Sequence, residues 1–274
     1  MVHLADTAWC QNPESHSKKP EIAFYAERCR RCFLCAKACP EGAILDGSER
    51  RVDRARCTAC GACAAACPAD ALRLIGKEWD VEAFTAELAR DRDYFQDSGG
   101  GVTLSGGEPM AQPAFALELA RVLHHARIHV NLETCGAFAW LWMEKLLPFV
   151  NLIYFDLKIM DPQRHMEWTG AANTAITANF TRLSRRFKNL QARMPVIPGV
   201  NDDAESIHAL AGFLRKAGRK SIHCLPYHGL GEAKIPRIDS AQKPMNVPAD
   251  AAAASIASVK ALFRREGINA VVYE

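Results

Sequence analysis

The amino-acid sequence predicts an α/β protein, with a parallel sheet in its larger part and a smaller cysteine-rich unit before it. Two observations predict the α/β class. Short apolar runs alternate with helical segments of about 10–15 residues, and those helical segments carry apolar residues at helical spacing. Such alternation is typical of consecutive βα units, which form either a barrel or a doubly wound layer. A third observation, eight cysteines between residues 29 and 67, sets the first part of the chain apart.

Length and composition narrow the class of protein. With 274 residues, 49% of them hydrophobic, the chain is long enough for a second domain with its own core. A formal net charge of +3 gives no argument for nucleic acid, and no such partner is expected. No signal peptide is recognised and no apolar run approaches 18 residues, so we expect a soluble cytoplasmic protein without a membrane partner. In that reducing compartment the cysteines are expected to bind metal and not to form disulfides.

The cysteines fall in two copies of one spacing, each followed by proline: Cys29, Cys32, Cys35 and Cys39, then Cys57, Cys60, Cys63 and Cys67. This spacing is the ligand pattern of a [4Fe–4S] cluster, and the fourth cysteine of each run ligates the other cluster. The pattern therefore predicts one cluster on Cys29, Cys32, Cys35 and Cys67 and a second on Cys57, Cys60, Cys63 and Cys39. Zinc knuckles and disulfides are the alternatives, but zinc knuckles need two ligand pairs with a longer spacer. Residues 21–75 would form a compact two-fold ferredoxin-type unit that metal ligation stabilises.

Hydrophobic periodicity predicts the remaining elements in order. The predicted helices are 81–92, 112–126, 139–147, 173–187, 203–216 and 250–265, the last with Asp250 as a plausible N-cap. The predicted strands are 102–105, 128–132, 151–155, 190–196, 221–225 and 270–273.

Polar and glycine clusters follow five of these strands, where parallel strands place their carboxyl ends at one shared edge. Gly106 and Gly107 allow backbone N–H groups to approach a ligand, and Glu108 is an acceptor suited to an ammonium group. Asp156 and Lys158 could clamp a zwitterion or pair with each other. The remaining candidates, Glu133, Arg193 and His228, have an ordinary solvated or capping role as the alternative.

In combination these motifs resemble those of the activating enzymes of glycyl radical enzymes, of which the pyruvate formate-lyase activating enzyme is an example. These enzymes belong to the radical S-adenosylmethionine (SAM) family. The resemblance rests on the double-cluster unit and on the segments 9–14, 100–109, 133–136, 156–161, 197–202 and 225–231. It implies a partial (β/α)6 barrel, lacking its first strand, that holds SAM at its strand ends. Its expected organisation is a remnant of the SAM-cluster loop at 1–20, an inserted ferredoxin-like two-cluster α+β domain at 21–75 and the barrel at 76–274.

The resemblance also assigns roles to residues. Gly106, Gly107 and Glu108 would hold the methionyl amino group. The methionine carboxylate, a possible monovalent cation and the ribose would be lined by Glu133, Asp156, Lys158 and Arg193, and His228 would lie near the nucleoside. Asp156, Lys158 and the cluster ligand Cys10 are the catalytic candidates.

The reaction that the resemblance implies is the one-electron reduction of SAM by a third [4Fe–4S] cluster. Its products would be methionine and a 5′-deoxyadenosyl radical, and the radical would abstract hydrogen from a glycine of a partner glycyl radical enzyme. The two inserted clusters would relay electrons from a ferredoxin or flavodoxin. A monomer is the simplest expectation.

The sequence departs from the family at the SAM cluster. The family holds that cluster with Cys-x3-Cys-x2-Cys, and Cys10 matches the last cysteine, but His3 and Thr7 stand at the other two positions. A threonine hydroxyl is a poor ligand for iron in such a cluster, so the chain as written is not expected to assemble it. The favoured interpretation is a shortened version of a normal enzyme, because the SAM-pocket residues are all in place. The alternatives are a catalytically dead electron-transfer or scaffold protein and, less well supported, a radical SAM enzyme that modifies peptides.

Overall fold

A computed structural model describes residue 17 and residues 19–46 and 51–272, which form two compact units. The smaller, cysteine-rich unit contains the described residues up to Glu78 together with Gly229–Met245, a segment that the sequence analysis places in the barrel. The larger unit contains residues 79–228 and 246–272. Cys10, His3 and Thr7 lie outside the described residues, as does nearly all of the predicted 1–20 segment.

The described part of the cysteine-rich unit contains two short strands, two short α-helices and 3-10 turns. β1 (Glu21–Phe24) pairs antiparallel with β2 (Leu72–Ile75), and between them lie α1 (Leu34–Ala38) and α2 (Ala62–Ala65). Apolar side chains of both strands pack on the buried thiols Cys35 and Cys63 in one small cluster. With so few buried apolar side chains, bound metal is expected to contribute much of this unit's stability.

The larger unit is organised around one parallel sheet whose strands lie in the order in which the chain makes them. Its strands are β3 (Gly101–Leu104), β4 (His129–Thr134), β5 (Leu152–Asp156), β6 (Leu190–Val196), β7 (Ser221–Pro226) and β8 (Asn269–Val272). Sequential order is the winding of a barrel, whereas a doubly wound layer reverses its order at a switch point. The described sheet is thus a partial barrel, and the predicted α/β class is confirmed.

Eight helices accompany the described sheet: α3 (Val81–Leu88), α4 (Arg92–Ser98), α5 (Pro113–His125), α6 (Trp140–Leu146), α7 (Pro162–Thr169), α8 (Thr174–Arg186), α9 (Ala204–Lys216) and α10 (Ala249–Arg265). The side chains of Asp161 and Asp203 cap α7 and α9 by accepting a backbone N–H three residues on. The N-cap predicted at Asp250 is wrong, since Pro248 precedes α10 and Asp250 lies in its first turn.

Alternate residues give this sheet two different faces. One face carries apolar side chains such as Leu132, Phe155 and Met194, which are buried against the helices in the main core. The strands present polar side chains on the other face, namely Thr103, Glu133, Tyr154, Asp156, Gln191, Arg193 and His223. Parallel sheets are usually apolar on both faces, so this polar face indicates a binding surface.

Candidate active site and metal centres

A network of ion pairs and one hydrogen bond joins side chains of β4, β5 and β6 and of the loop after β3 on the polar face. Arg193 of β6 donates from Nε to Oδ1 of Asp156 over 2.8 Å and from Nη1 to Oε1 of Glu133 over 2.8 Å. Ser105, which follows β3, donates from Oγ to Oε2 of Glu133 over 3.0 Å. Burial alone would lower the pKa of Arg193, but the two carboxylates outweigh it and raise that pKa. Counted by themselves, the two carboxylates and the guanidinium carry a formal net charge of −1.

Tyr154 and His223 extend this surface next to Arg193. The Arg193 guanidinium carbon lies 5.0 Å from the centre of the Tyr154 ring. The centres of the Tyr154 and His223 rings lie 6.2 Å apart. Burial and the positive charge of Arg193 both lower the pKa of His223. The sequence reading missed both side chains. Strand alternation could have found His223, since it stands between the apolar residues Ile222 and Cys224 of β7.

Glu108 is held by the loop that follows β4. Its carboxylate accepts the backbone N–H of Met110 over 3.0 Å, that of Cys135 over 2.8 Å and the hydroxyl of Thr134 over 2.9 Å. Burial raises the pKa of Glu108, and these hydrogen bonds oppose the rise. Gly106, with φ of +119°, is exposed two residues earlier and leaves open space where a side chain would stand. Together with the exposed Gly107 it leaves the backbone beside Glu108 accessible.

A buried asparagine ties the loop after β6 to the loop after β5. Asn201 is fully buried; its amide donates to the carbonyls of Lys158 over 3.0 Å and Pro195 over 2.8 Å, and its oxygen accepts the N–H of Ile197 over 2.8 Å. The backbone at Lys158, itself a buried residue, is therefore fixed beside the network. His228 lies two residues beyond β7 and is exposed.

The eight cysteines of the repeat form two groups. Cys29, Cys32, Cys35 and Cys67 line one partly open cavity. In the other group, burial and the neighbouring thiols Cys39, Cys57 and Cys60 raise the pKa of Cys63 to about 11. Each group thus takes three cysteines from one copy and the fourth from the other, which is the grouping expected for crossed cluster ligation. Within the described ranges, no three His, Cys, Asp or Glu side chains are placed to hold a single metal ion.

Backbone geometry around the thiols fits iron–sulfur clusters. Ala43 and Ala71 donate their N–H groups over 3.3 Å to the sulfurs of Cys39 and Cys67, at equivalent positions of the two copies. Burial alone would raise the pKa of Cys67, but such N–H groups outweigh it and lower that pKa. Left-handed backbone recurs at equivalent positions as well, in the pairs Arg31 and Ala59, Phe33 and Gly61, and Gly42 and Asp70. N–H···S hydrogen bonds of this kind stabilise thiolates and tune cluster potentials.

Comparison with protein families supports both parts of this description. Residues 55–211 match the radical SAM superfamily, and residues 21–68 match a 4Fe-4S dicluster domain. Among the described residues no helix has the length and hydropathy needed to cross a membrane.

Proteins with similar sequences are named as activating enzymes. An isethionate sulfite-lyase activating enzyme of Nitratidesulfovibrio vulgaris is 39% identical over 239 residues, which is 84% of this chain and 78% of that protein. A (2S)-3-sulfopropanediol dehydratase activating enzyme of Klebsiella oxytoca is 35% identical over 96% of this chain and 87% of its own length. The crystal structure of a domain of pyruvate-formate lyase-activating enzyme from Bacteroides vulgatus has a TM-score of 0.51 and 26% identity, covering 64% of this chain and 99% of that domain. The chain belongs to the radical SAM superfamily and, within it, to the activating enzymes of glycyl radical enzymes.

Proposed function

We propose that this protein binds SAM across the polar face of its sheet and generates the radical of a partner glycyl radical enzyme. The observation that carries the proposal is the Arg193, Asp156 and Glu133 network at the strand ends. Its net negative charge suits the positive groups of SAM, while the guanidinium offers a donor for the methionine carboxylate. Family membership supports the same activity.

The residues of the pocket would bind and orient SAM. Gly106, Gly107 and Glu108 would receive the methionyl amino group, because an open glycine backbone lies beside a half-buried acceptor. Asp156 and Lys158 would position the carboxylate and ribose, and the exposed His228 would cover the nucleoside. When bound, SAM and a reduced [4Fe–4S] cluster supply the 5′-deoxyadenosyl radical. The protein's own contribution is orientation and exclusion of water.

The clusters of the cysteine-rich unit would take electrons from a ferredoxin or flavodoxin. We place the protein in the cytoplasm, where free thiols stay reduced, and expect a monomer that docks a glycine-bearing loop of its partner. Relatives named for isethionate, sulfopropanediol and hydroxyproline enzymes define the panel of partners to test.

An electron-transfer protein without radical chemistry is the second candidate. The observation that favours it is the presence of His3 and Thr7 where the SAM cluster needs cysteines. In that case the pocket would have no catalytic cluster beside it, and the two clusters on the eight cysteines would be the working groups.

Reconstitution separates the two candidates. The chain is loaded anaerobically with iron and sulfide, then given SAM and dithionite, and iron, 5′-deoxyadenosine and bound SAM are measured. About twelve irons per chain together with SAM cleavage would support the radical enzyme. About eight irons per chain without cleavage would support the electron-transfer protein, which has only the two clusters on the eight cysteines.

SAM binding tests the pocket independently of cleavage. Equilibrium dialysis of the reconstituted chain should show binding that Arg193→Met weakens and that Arg186→Met, in an exposed ion pair with Glu144, leaves unchanged. Equal binding by all three proteins would contradict the assigned pocket. With a cleaving preparation, a glycyl radical detected by electron paramagnetic resonance on one member of the partner panel would identify the partner.

A further inference from the structure

The cysteine-rich unit repeats its backbone at an interval of 28 residues, and one buried side chain breaks the repeat. The pairing of Phe24 with Leu72 recurs as the bridge between Val52 and Ile44, each position shifted by 28. The backbone hydrogen bond from Leu45 N to the carbonyl of residue 51 belongs to the same repeat. Position 51 in one half therefore corresponds to position 23 in the other. Both are 2% exposed, but one is Arg51 and the other Ala23.

Arg51 is buried against the first group of thiols. It lines the cavity formed by Cys29, Cys32, Cys35 and Cys67, and its Nη2 lies 3.8 Å from the sulfur of Cys35. Its Cζ lies 4.7 Å from the centre of the Phe33 ring. In the described part of the chain it forms one ion pair, in which Oδ1 of Asp46 lies 3.9 Å from Nη1 and the Asp46 side chain is 85% exposed.

Among the described residues, none accepts a hydrogen bond from the buried Nε of Arg51. A buried guanidinium with an unmet donor is costly unless negative charge lies beside it. Four thiolates around a cluster would supply that charge in this cavity.

The other group of thiols has no charged side chain at the equivalent buried position. Ala23 occupies the equivalent buried position, and it is apolar. The ligand loops differ in the same direction: Arg30 and Arg31 of the first loop line the cavity, while the second loop has Thr58 and Ala59 at those positions. The two sites thus share a backbone but differ in local charge.

We propose that Arg51 raises the reduction potential of the cluster held by Cys29, Cys32, Cys35 and Cys67 above that of the cluster held by Cys39, Cys57, Cys60 and Cys63. Reduction adds one electron to an already anionic group, and a buried cation stabilises the more negative form. An electron from the donor then resides preferentially on the first cluster. This inference rests on binding of the two clusters and not on the proposed radical reaction.

A potentiometric titration with dithionite, followed by electron paramagnetic resonance, tests the proposal on the full chain loaded with about eight irons. Two one-electron transitions are expected. Arg51→Met should lower the higher potential by about 59 mV, a tenfold fall in the ratio of reduced to oxidised cluster at fixed potential, and leave the lower one in place. Arg51→Lys, which keeps the charge, should shift it less. The exposed Arg73→Met removes the same charge from the surface and should change the ratio less than about twofold.

A second variant covers the case in which Arg51→Met does not retain its iron. Cys32 is an exposed ligand candidate of the first cluster, so Cys32→Ser should move the higher transition alone. Movement of the lower transition would overturn the assignment. A single potential for both clusters in the unaltered chain, or an Arg51→Met chain with unchanged potentials at full iron content, would overturn it as well.

Discussion

Arg193 and Asp156 lie opposite each other in register on β6 and β5, and the Nε of Arg193 donates to Oδ1 of Asp156 over 2.8 Å. The same guanidinium reaches Glu133 on β4, so one side chain holds two carboxylates of neighbouring strands in place. Its side chain is only 14% exposed, which limits screening by water.

Replacing Arg193 with methionine should therefore destabilise the larger unit. Removal of the guanidinium leaves Asp156 and Glu133 without their shared donor, and we expect a loss of about 2–3 kcal/mol in the free energy of unfolding. Urea unfolding followed by circular dichroism measures the loss. Arg186→Met is the matched control, because its exposed pair with Glu144 should contribute no more than about 1 kcal/mol. Equal losses in the two variants would contradict the buried network.

His223 should make stability depend on pH. Its pKa is lowered in the folded state from an ordinary value of 6.5, so the unfolded chain takes up the proton more readily. The contribution is present above pH 6.5 and is lost as the pH falls through the lower folded pKa, with a slope no steeper than about 1.4 kcal/mol per unit.

His223→Gln should reduce this slope when urea midpoints are measured from pH 7.5 down to 5. Arg193→Met should reduce it partly, because part of the shift comes from that positive charge. An unchanged slope in His223→Gln would show that other groups cause the pH dependence.

Gly136 should not tolerate a side chain. Its φ is +82°, and an added Cβ would stand 2.0 Å from Cζ of the fully buried Phe155. We expect Gly136→Ala to cost about 3 kcal/mol or more of unfolding free energy, as backbone strain and overpacking combine. Gly199→Ala is the control: φ is +75°, but open space surrounds the added Cβ, so only strain of about 1 kcal/mol remains. Partial rescue of Gly136→Ala by Phe155→Leu would locate the clash, and equal costs at the two glycines would refute it.

Crossed ligation of the clusters predicts a specific result for double variants. If Cys39 completes the cluster of Cys57, the pair Cys39→Ala and Cys57→Ala removes ligands of one cluster only, and about four irons should remain. The pair Cys39→Ala and Cys29→Ala removes a ligand from each cluster and should leave markedly less iron. Iron analysis after anaerobic reconstitution measures both. The reverse order of iron contents would mean that each copy ligates its own cluster.

Many helices and strands of the larger unit could be predicted, because local sequence periodicity determines them. The bounds of β6 match the predicted 190–196, and α9 begins directly after its predicted first residue, Asp203. The predicted helix 81–92 is instead α3 and α4 joined by a short 3-10 turn at Ala89–Asp91. The short helix α7 was missed, as was β1, whose partner β2 stands some fifty residues away.

The candidate site was predictable in its motifs but not in its pairings. The glycine and carboxylate motifs that follow the strands can be recognised in the amino-acid sequence alone. The choice of Arg193 as partner of Asp156 depends on strand register, which no local pattern contains. Arg51 was missed for a related reason, because the charged segment 46–56 suggests a solvated turn, and only the fold shows that Arg51 is buried.

The sequential order of β3 to β8 has a kinetic consequence. When each strand after β3 leaves the ribosome, the strand with which it pairs has already been synthesised. The sheet can therefore grow by one βα module at a time during synthesis. The cysteine-rich unit is completed later, because it includes Gly229–Met245, which follow β7 in the chain. Translation therefore allows most of the sheet to form while the metal-binding unit still waits for its last segment.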